Sequence, residues 1–341
     1  MFYYILNRKK KRVKMKRLIR TAMIAAIMLF LLAGTAPAEE IIPPSPEPPA
    51  ANVTGRPTPM PTEAPEEIII DHVHNPAYYP KFSFMKDRKL LDIWFPNIKD
   101  ADEAVLIYDG QVWMIDCGDR NASVRGQLLL KQLEIEKIDL LLNTHLHHDH
   151  IDGLALTDDT AKVKQVKICF APDLTASGLR MLETAAERGI PVTEYRNGDV
   201  FTMGDGAVRI QVMKNNEEYL DMNNQSAVMR ITYGERSILF TADMEAPGQE
   251  AMINRIGAEM LKCDIVKYPH HAKSDLYTPF YQAMGAGLAI VTSVEGRGDR
   301  GQTAITNRGL AAVYTSVKGK FTHLATDGEY WLVEQVDVTV K

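Results

Sequence analysis

Residues 143–153, Asn143-Thr-His-Leu-His-His-Asp-His-Ile-Asp-Gly153, decide the fold, because they place His145, His147, Asp149 and His150 within six residues. The apolar run at 138–142 precedes them and predicts a buried strand. A strand that runs out into a loop holds the side chains at i and i+2 on one side, whereas two adjacent side chains diverge. One short loop can therefore offer ligands to two metal ions.

Other residues support a metal site over the alternatives, which are a solvated histidine-rich loop and a chance cluster. Six of the nine histidines lie in two short stretches, 145–150 and 270–271. Carboxylates also follow two apolar strands, Asp116 after 112–115 and Asp243 after 237–242. Clustered imidazoles with carboxylates at strand ends favour a metal centre.

With these residues the sequence resembles the metallo-β-lactamase superfamily of metal-dependent hydrolases, whose His-x-His-x-Asp-His pattern it meets at 145–150. Within the superfamily it is similar to the hydrolase domain of the ComEC-type DNA-uptake (competence) proteins. The likeness covers roughly residues 88–335. It is carried by the runs 106–118, 223–226 leading into 239–243, and 265–271.

The resemblance implies roles for individual residues. His145 and His147 are expected to bind the first metal, Asp149 and His150 the second, and Asp243 both. The last ligand comes from His270-His271-Ala272, where relatives usually have His-His-Gly. His271 is favoured because it precedes the small residue, which leaves His270 as an outer or reserve residue.

Two further expectations concern catalysis and the metal. Asp149 and Asp116 are the carboxylates expected to take part in catalysis, Asp116 by orienting a ligand histidine. No histidine occurs between His150 and His270, so the third histidine that relatives usually give the first metal is missing. One or two divalent ions are expected, with Zn²⁺ favoured and Mn²⁺ the alternative where carboxylate and water dominate.

Several polar residues are candidates for the outer shell or for substrate contact. Asn224 and Ser226 either tighten the turn before the strand at 227–233 or contact substrate. Lys267 and Lys273 flank the last histidines and are either solvated or hold substrate phosphates. Arg297 and Arg300 are expected to contact substrate.

The N-terminal residues predict export. Nine basic residues precede Thr21, an apolar run follows, and a small-residue cleavage site ends at Ala38, so residues 1–38 are predicted to be a signal peptide. The alternative is an uncleaved membrane anchor, but the apolar core is short for a span. Residues 39–66 hold nine prolines and predict an extended, disordered spacer. Residues 67–341 are predicted to form the hydrolase domain, which is expected to be secreted or at the cell surface, with no stable membrane insertion after cleavage.

Apolar patterning predicts an α/β fold, a four-layer αββα metallo-β-lactamase sandwich with ligands at strand ends. Strands are predicted near 90–95, 104–108 and 111–116, with later ones at 207–213, 227–233 and 236–242. Helices are predicted over 174–188, 246–257 and near 307–316, and a hairpin about Asp327-Gly328 ends the chain.

Charge limits the substrate. Without the nine basic residues of the signal peptide, 30 Lys and Arg remain against 44 Asp and Glu, a net charge of about −14. Such a surface repels a polyanion, so a small-molecule or short nucleic-acid phosphodiester is expected and duplex DNA is not expected to bind tightly.

The predicted function is hydrolysis by a metal-bound hydroxide, with a phosphodiester favoured by the resemblance. Hydrolysis of another ester, a lactone or an amide on the same fold is one alternative. A cell-surface binding module with a degenerate metal site is the other. The sequence indicates no oligomeric state.

Overall fold

The computed structural model describes residues 88–121, 123–217 and 220–339. The predicted signal peptide, the spacer and residues 67–87 lie outside these ranges. Within them, no helix combines the length and the apolar character needed to cross a membrane.

Most of the strands belong to two large sheets. In chain order the strands are β1 (Leu91–Phe95), β2 (Glu103–Tyr108), β3 (Gln111–Cys117), β4 (Lys137–Ile138), β5 (Leu140–Leu142), β6 (Lys162–Val163), β7 (Val166–Ile168), β8 (Val192–Glu194), β9 (Val200–Met203), β10 (Val208–Met213), β11 (Val228–Tyr233), β12 (Arg236–Phe240), β13 (Ile265–Lys267), β14 (Leu288–Val291), β15 (Ala311–Tyr314), β16 (Lys320–Thr326) and β17 (Trp331–Asp337). The first sheet has the order β17-β16-β1-β2-β3-β5-β7-β8, and the second has the order β15-β14-β13-β12-β11-β10-β9.

Helices cover the outer faces of the sheets. They are α1 (Ser123–Gln132), α2 (His148–Ile151), α3 (Leu154–Thr160), α4 (Ala176–Arg188), α5 (Ala246–Ile256), α6 (Thr278–Met284) and α7 (Arg300–Arg308), with 3₁₀ turns at Pro172–Leu174, Glu259–Leu261 and Pro269–Ala272. The predicted four-layer αββα sandwich is confirmed.

Alternation along the strands builds three apolar layers. In β3, Trp113 and Ile115 face the core between the sheets, whereas Val112 and Met114 face the core under the helices of the first sheet. A third core, which includes Val266 and Phe280, lies under the helices of the second sheet. Strands that are buried on both faces have nearly continuous apolar sequences, which is why they could be predicted from the sequence.

The carboxyl ends of parallel strands carry the candidate site. β3 pairs with β5 in the first sheet, and β12, β13 and β14 pair in parallel in the second. Asp116 lies near the end of β3 and His145 follows β5, while Asp243 and His271 follow β12 and β13. Loops at these ends are where open α/β sheets place their ligand sites.

One predicted element is wrong. The helix predicted near 307–316 ends at Arg308, because Gly309 adopts the left-handed conformation (φ 63°) that terminates a helix. The apolar residues that follow form β15, which pairs in parallel with β14. The predicted hairpin about Asp327-Gly328 is present, as the turn between β16 and β17.

Candidate metal centre

Four buried side chains converge at the strand ends, Asp149, His150, Asp243 and His271, with one ligand atom of each within 4.8 Å of the others. His150 Nε2 lies 3.3 Å and His271 Nε2 lies 3.7 Å from Asp243 Oδ1. His271 Nε2 also lies 3.6 Å from Asp149 Oδ2. The fold thus brings the ligands predicted for the second metal, Asp149, His150 and Asp243, together with the predicted last ligand, His271, from α2 and from the segments after β12 and β13.

Three atoms at this point have no hydrogen-bond partner among the described residues: His150 Nε2, His271 Nε2 and Asp243 Oδ1. Buried polar atoms are normally satisfied, so three unsatisfied ones facing a common point need an explanation. Nitrogen and carboxylate oxygen atoms are ligands of zinc at about 2.0–2.2 Å. Their spacing therefore fits a divalent cation held among them.

The predicted first site lies on the other side of Asp243. His145 Nε2 and His147 Nδ1 are 3.0 Å apart, close enough for both nitrogens to bind one ion. His145 Nε2 lies 4.0 Å from Asp243 Oδ2, so the two oxygens of Asp243 face different sites. Burial lowers the pKa of His145 well below its usual value, which keeps the imidazole neutral and able to act as a ligand.

Asp116 orients His150 and does not face the common point. Its Oδ2 accepts a hydrogen bond from His150 Nδ1 at 2.8 Å, and its carboxylate also accepts from Asn143 Nδ2, Thr144 N and Thr144 Oγ1 at 2.7–2.9 Å. A carboxylate on the far nitrogen of a ligand histidine fixes the tautomer and the ring. This is the orienting role expected for Asp116, whose part in catalysis stays a prediction.

Asp102 plays the corresponding part for His271, and the sequence analysis missed it. His271 Nδ1 lies 2.9 Å from Thr292 Oγ1 and 3.2 Å from Asp102 Oδ1. Thr292 in turn donates to Asp102 at 2.7 Å. Asp102 precedes β2 without a motif around it, so its role could be read only from these contacts.

Lys267 is not solvated, contrary to one of the two expectations for it. Its side chain is 2% exposed, and its ammonium donates to Asp102 and, at 3.3 Å, to the carbonyl of Ala242. The sequence did contain a signal for this pairing, namely a lysine within the apolar strand β13, because buried lysines are almost always paired.

The electrostatics of the centre favour the binding of cations. Burial alone would raise the pKa of Asp243, but His150 and His271 hold it well below its usual value. Burial would lower the pKa of His150, yet Asp243 and Asp116 raise it well above its usual value. Carboxylates Asp102, Asp116, Asp149 and Asp243, with the ammonium of Lys267, give the centre a formal charge of −3 when the imidazoles are neutral. One or two divalent cations bring that charge close to zero.

Backbone strain is concentrated here. Eight non-glycine residues of the described ranges have positive φ, and five of them belong to this centre: Asp116, Ala242, His270, His271 and Ala272. Each such residue costs on the order of 1–3 kcal/mol, and such strain persists where surrounding contacts impose it. Because residues 270–272 adopt left-handed dihedral angles, the backbone at His270 and His271 does not follow a regular helix or strand.

The remaining candidates lie in varied surroundings. Asn224 holds the start of α5, where its Oδ1 accepts from the backbone N–H groups of Glu245 (3.1 Å) and Gly248 (2.9 Å). Ser226 is fully buried beside this turn. Substrate contact through either residue stays a prediction.

The basic candidates are closer to the surface. Arg297 pairs with Asp100 and lies 3.4 Å from Asp299, so its charge has partners within the protein. Arg300 is exposed at the start of α7, and Lys273 is half-buried after the histidine turn. Gly301 of α7 packs on the backbone of this turn, where an added Cβ would lie 2.4 Å from the Ala272 carbonyl oxygen.

Comparisons with known proteins show which sequences resemble this chain. A family model described as the metallo-beta-lactamase superfamily matches residues 103–286, more than half of the chain. ComE operon protein 3 of Bacillus subtilis is 26% identical over 160 residues, which are 47% of this chain and 20% of that protein. Ribonuclease Z of an Exiguobacterium species is 28% identical over 109 residues, which are 30% of this chain and 35% of that protein. The chain thus spans about a third or less of the length of these two relatives.

Solved structures with a similar fold share little sequence with the chain. The metallo-beta-lactamase fold protein YhfI of Bacillus subtilis is 15% identical with a TM-score of 0.46, over 69% of this chain and 99% of that chain. A diphosphatase of the PhnP family is 13% identical with a TM-score of 0.38, over 59% of this chain and 85% of that chain.

Proposed function

Because this chain belongs to the metallo-β-lactamase superfamily of metal-dependent hydrolases, we propose that it is a secreted phosphodiesterase that acts on small or short single-stranded substrates. The observation that carries metal-dependent hydrolysis is the convergence of His150 Nε2, His271 Nε2 and Asp243 Oδ1, buried and without hydrogen-bond partners among the described residues. The donor set suits Zn²⁺, and the two carboxylates of the second site also suit Mn²⁺.

The residues of the chain hold and orient the reacting groups. Divalent ions bound here would lower the pKa of a coordinated water to about 7 and polarise the bond to be cleaved. Asp243 presents one oxygen to each site and so fixes their separation, while Asp149 presents Oδ2 beside His271 at 3.6 Å. Asp116 holds the ring of His150 in one orientation at 2.8 Å, which preserves the geometry through turnover.

Two observations support the phosphodiester class. The relatives named ribonuclease Z act, by that name, on RNA, whose cleaved bond is a phosphodiester. Asp243 faces both metal sites, and two divalent ions held there would be able to stabilise both the attacking and the leaving oxygen of a phosphoryl group. The net charge of about −14 predicted for the exported chain limits the substrate to few phosphates.

The proposal is tested with the purified full chain loaded with Zn²⁺ or Mn²⁺. The substrates are bis(p-nitrophenyl) phosphate, a short single-stranded oligonucleotide, an aromatic lactone and the β-lactam nitrocefin. Metal-dependent turnover of the phosphodiesters, abolished in Asp243→Asn, is expected. The matched control is Asp337→Asn, because Asp337 is 76% exposed at the end of β17 and should be silent.

Each other outcome contradicts part of the proposal. Faster turnover of the lactone or nitrocefin would overturn the phosphodiester substrate class but would still support metal-dependent hydrolysis. Detecting metal-dependent hydrolysis of none of these substrates would favour a binding module.

A further inference from the structure

The first metal site, as assigned from the sequence, has only two histidines. No histidine lies between His150 and His270, so no residue of that stretch can supply a third. We propose that His270 is the third histidine of the first site and that Glu245 orients it. This inference rests on the metal-binding part of the proposed function and not on the phosphodiester substrate.

Three histidines of the centre share one arrangement. Their Nδ1 atoms lie near a side-chain oxygen, and their Nε2 atoms lie 3.3–4.0 Å from an oxygen of Asp243. The residues and their Nδ1 distances are His145 with Thr144 Oγ1 (3.2 Å), His150 with Asp116 Oδ2 (2.8 Å) and His271 with Thr292 Oγ1 (2.9 Å). An oxygen on one ring nitrogen leaves the other nitrogen free and aimed at the metal.

His270 has the same arrangement. Its Nδ1 lies 2.8 Å from Glu245 Oε1, which also accepts from Ser274 Oγ at 2.7 Å. Its Nε2 lies 3.7 Å from Asp243 Oδ2. The side chain is only 20% exposed, so it faces the centre more than the solvent.

The two oxygens of Asp243 show which site His270 serves. Oδ1 faces His150 and His271, the histidines of the second site. Oδ2 faces His145, a histidine of the first site, and His270. A carboxylate that binds two ions gives one oxygen to each, so the histidine near Oδ2 belongs with the first ion.

The backbone makes this division possible for two adjacent residues. His270 and His271 both have left-handed φ/ψ, and the N–H of His270 donates to the Ala242 carbonyl at 3.0 Å. Their ring centroids are 6.0 Å apart with planes at 66°. Neighbouring imidazoles on this turn therefore point to different places on Asp243.

Three other histidines of the described residues lack the arrangement. His147, a predicted ligand of the first site, presents Nδ1 to that site, 3.0 Å from His145 Nε2. His148 is 69% exposed, and its Nδ1 lies 3.0 Å from Asp149. His323 has both ring nitrogens engaged, with Glu334 at 2.5 Å and Asp92 at 2.8 Å. Proximity to the motif, or contact with carboxylates, therefore does not by itself give a histidine this arrangement.

The test compares His270→Gln with His148→Gln, the same chemical change at an exposed histidine three residues from His145. Each full-length chain is equilibrated with buffered Zn²⁺ over a range of free concentrations, and bound zinc is measured by mass spectrometry. Cobalt-loaded samples give the visible spectrum, which responds to the coordination geometry and the ligand set of the bound ion. The melting temperature in EDTA shows that each variant folds without metal.

His270→Gln is expected to weaken the affinity for one of two ions at least about tenfold and to change the cobalt spectrum, with the other ion retained. Glu245→Gln should weaken the same ion by a smaller factor, because the ring stays but its orientation is less fixed. His148→Gln should keep the wild-type affinity for the first-site ion, because the predicted ligand that His148 contacts, at 3.0 Å, is Asp149 of the second site.

Wild-type metal content and spectrum in His270→Gln would overturn the assignment, and so would wild-type protein that binds a single ion. The test uses no substrate, so failure of the phosphodiester assay leaves its outcome unaffected.

Discussion

The pair formed by Lys267 and Asp102 gives a prediction that follows from burial alone. Both side chains lie beneath the metal centre, 2% and 8% exposed, and the ammonium donates to the carboxylate. Lys267→Met leaves Asp102 buried without its cation, and Asp102→Asn leaves Lys267 buried without its anion. Each single change should lower the free energy of unfolding by about 3–5 kcal/mol.

The double variant should cost much less than the sum, because no unpaired charge remains. We expect a coupling energy of at least about 2 kcal/mol from the double-mutant cycle. The measurement is urea unfolding of the full chain in EDTA at pH 7, followed by circular dichroism, so that metal binding does not contribute. The control cycle is Lys320→Met with Asp337→Asn, an ion pair at 2.6 Å whose side chains are 35% and 76% exposed. It should give roughly 0–1 kcal/mol.

The pH dependence of this coupling has a definite sign. Burial alone would raise the pKa of Asp102, but Lys267 and His271 hold it below its ordinary value of 3.8. A carboxylate whose folded pKa is depressed stabilises the fold above its unfolded pKa and loses that contribution as the pH falls further. The coupling should therefore be constant from pH 5 to 8 and decline only in stronger acid. A coupling no larger than that of the surface pair would refute the reasoning.

Three further predictions concern other residues. Asp149→Ala with His150→Ala should remove at least one bound ion, measured by mass spectrometry, and wild-type metal content would contradict the ligand assignment. Arg297→Ala with Arg300→Ala should raise KM with kcat and metal content nearly unchanged, because uniform substrate binding is lost; an unaltered KM would exclude the pair from substrate contact. Burial raises the pKa of Glu103 to about 8, so the folded chain keeps a proton that the unfolded chain releases near pH 4.5, and stability should fall as the pH rises between these values. Glu103→Gln should remove most of this fall, roughly 5 kcal/mol at most, in urea titrations from pH 4.5 to 8, and an unchanged slope would show that Glu103 is ionised in the fold.

The fold could be predicted from the sequence because its signals are local. Apolar runs identified the buried strands, and the ligand-rich loop after 138–142 indicated which edge of the sheets carries the site. The misplaced helix near 307–316 shows the limit of such signals. The apolar residues around 311–314 fit a helix or a strand equally well, and only pairing with β14 made them a strand.

The sequence by itself determined the ligand-rich loop, the carboxylates at strand ends and the class of chemistry, because each depends on residues that are close together in the sequence. Tertiary structure alone decided the contacts of Asp102, Lys267 and His270. Asp102 meets Lys267 across 165 positions of the chain and Thr292 across 190. His270 faces Asp243 only because a left-handed turn and Glu245 hold its ring there. No sequence pattern records these contacts, since they depend on how two sheets pack and bring distant strand ends to one point.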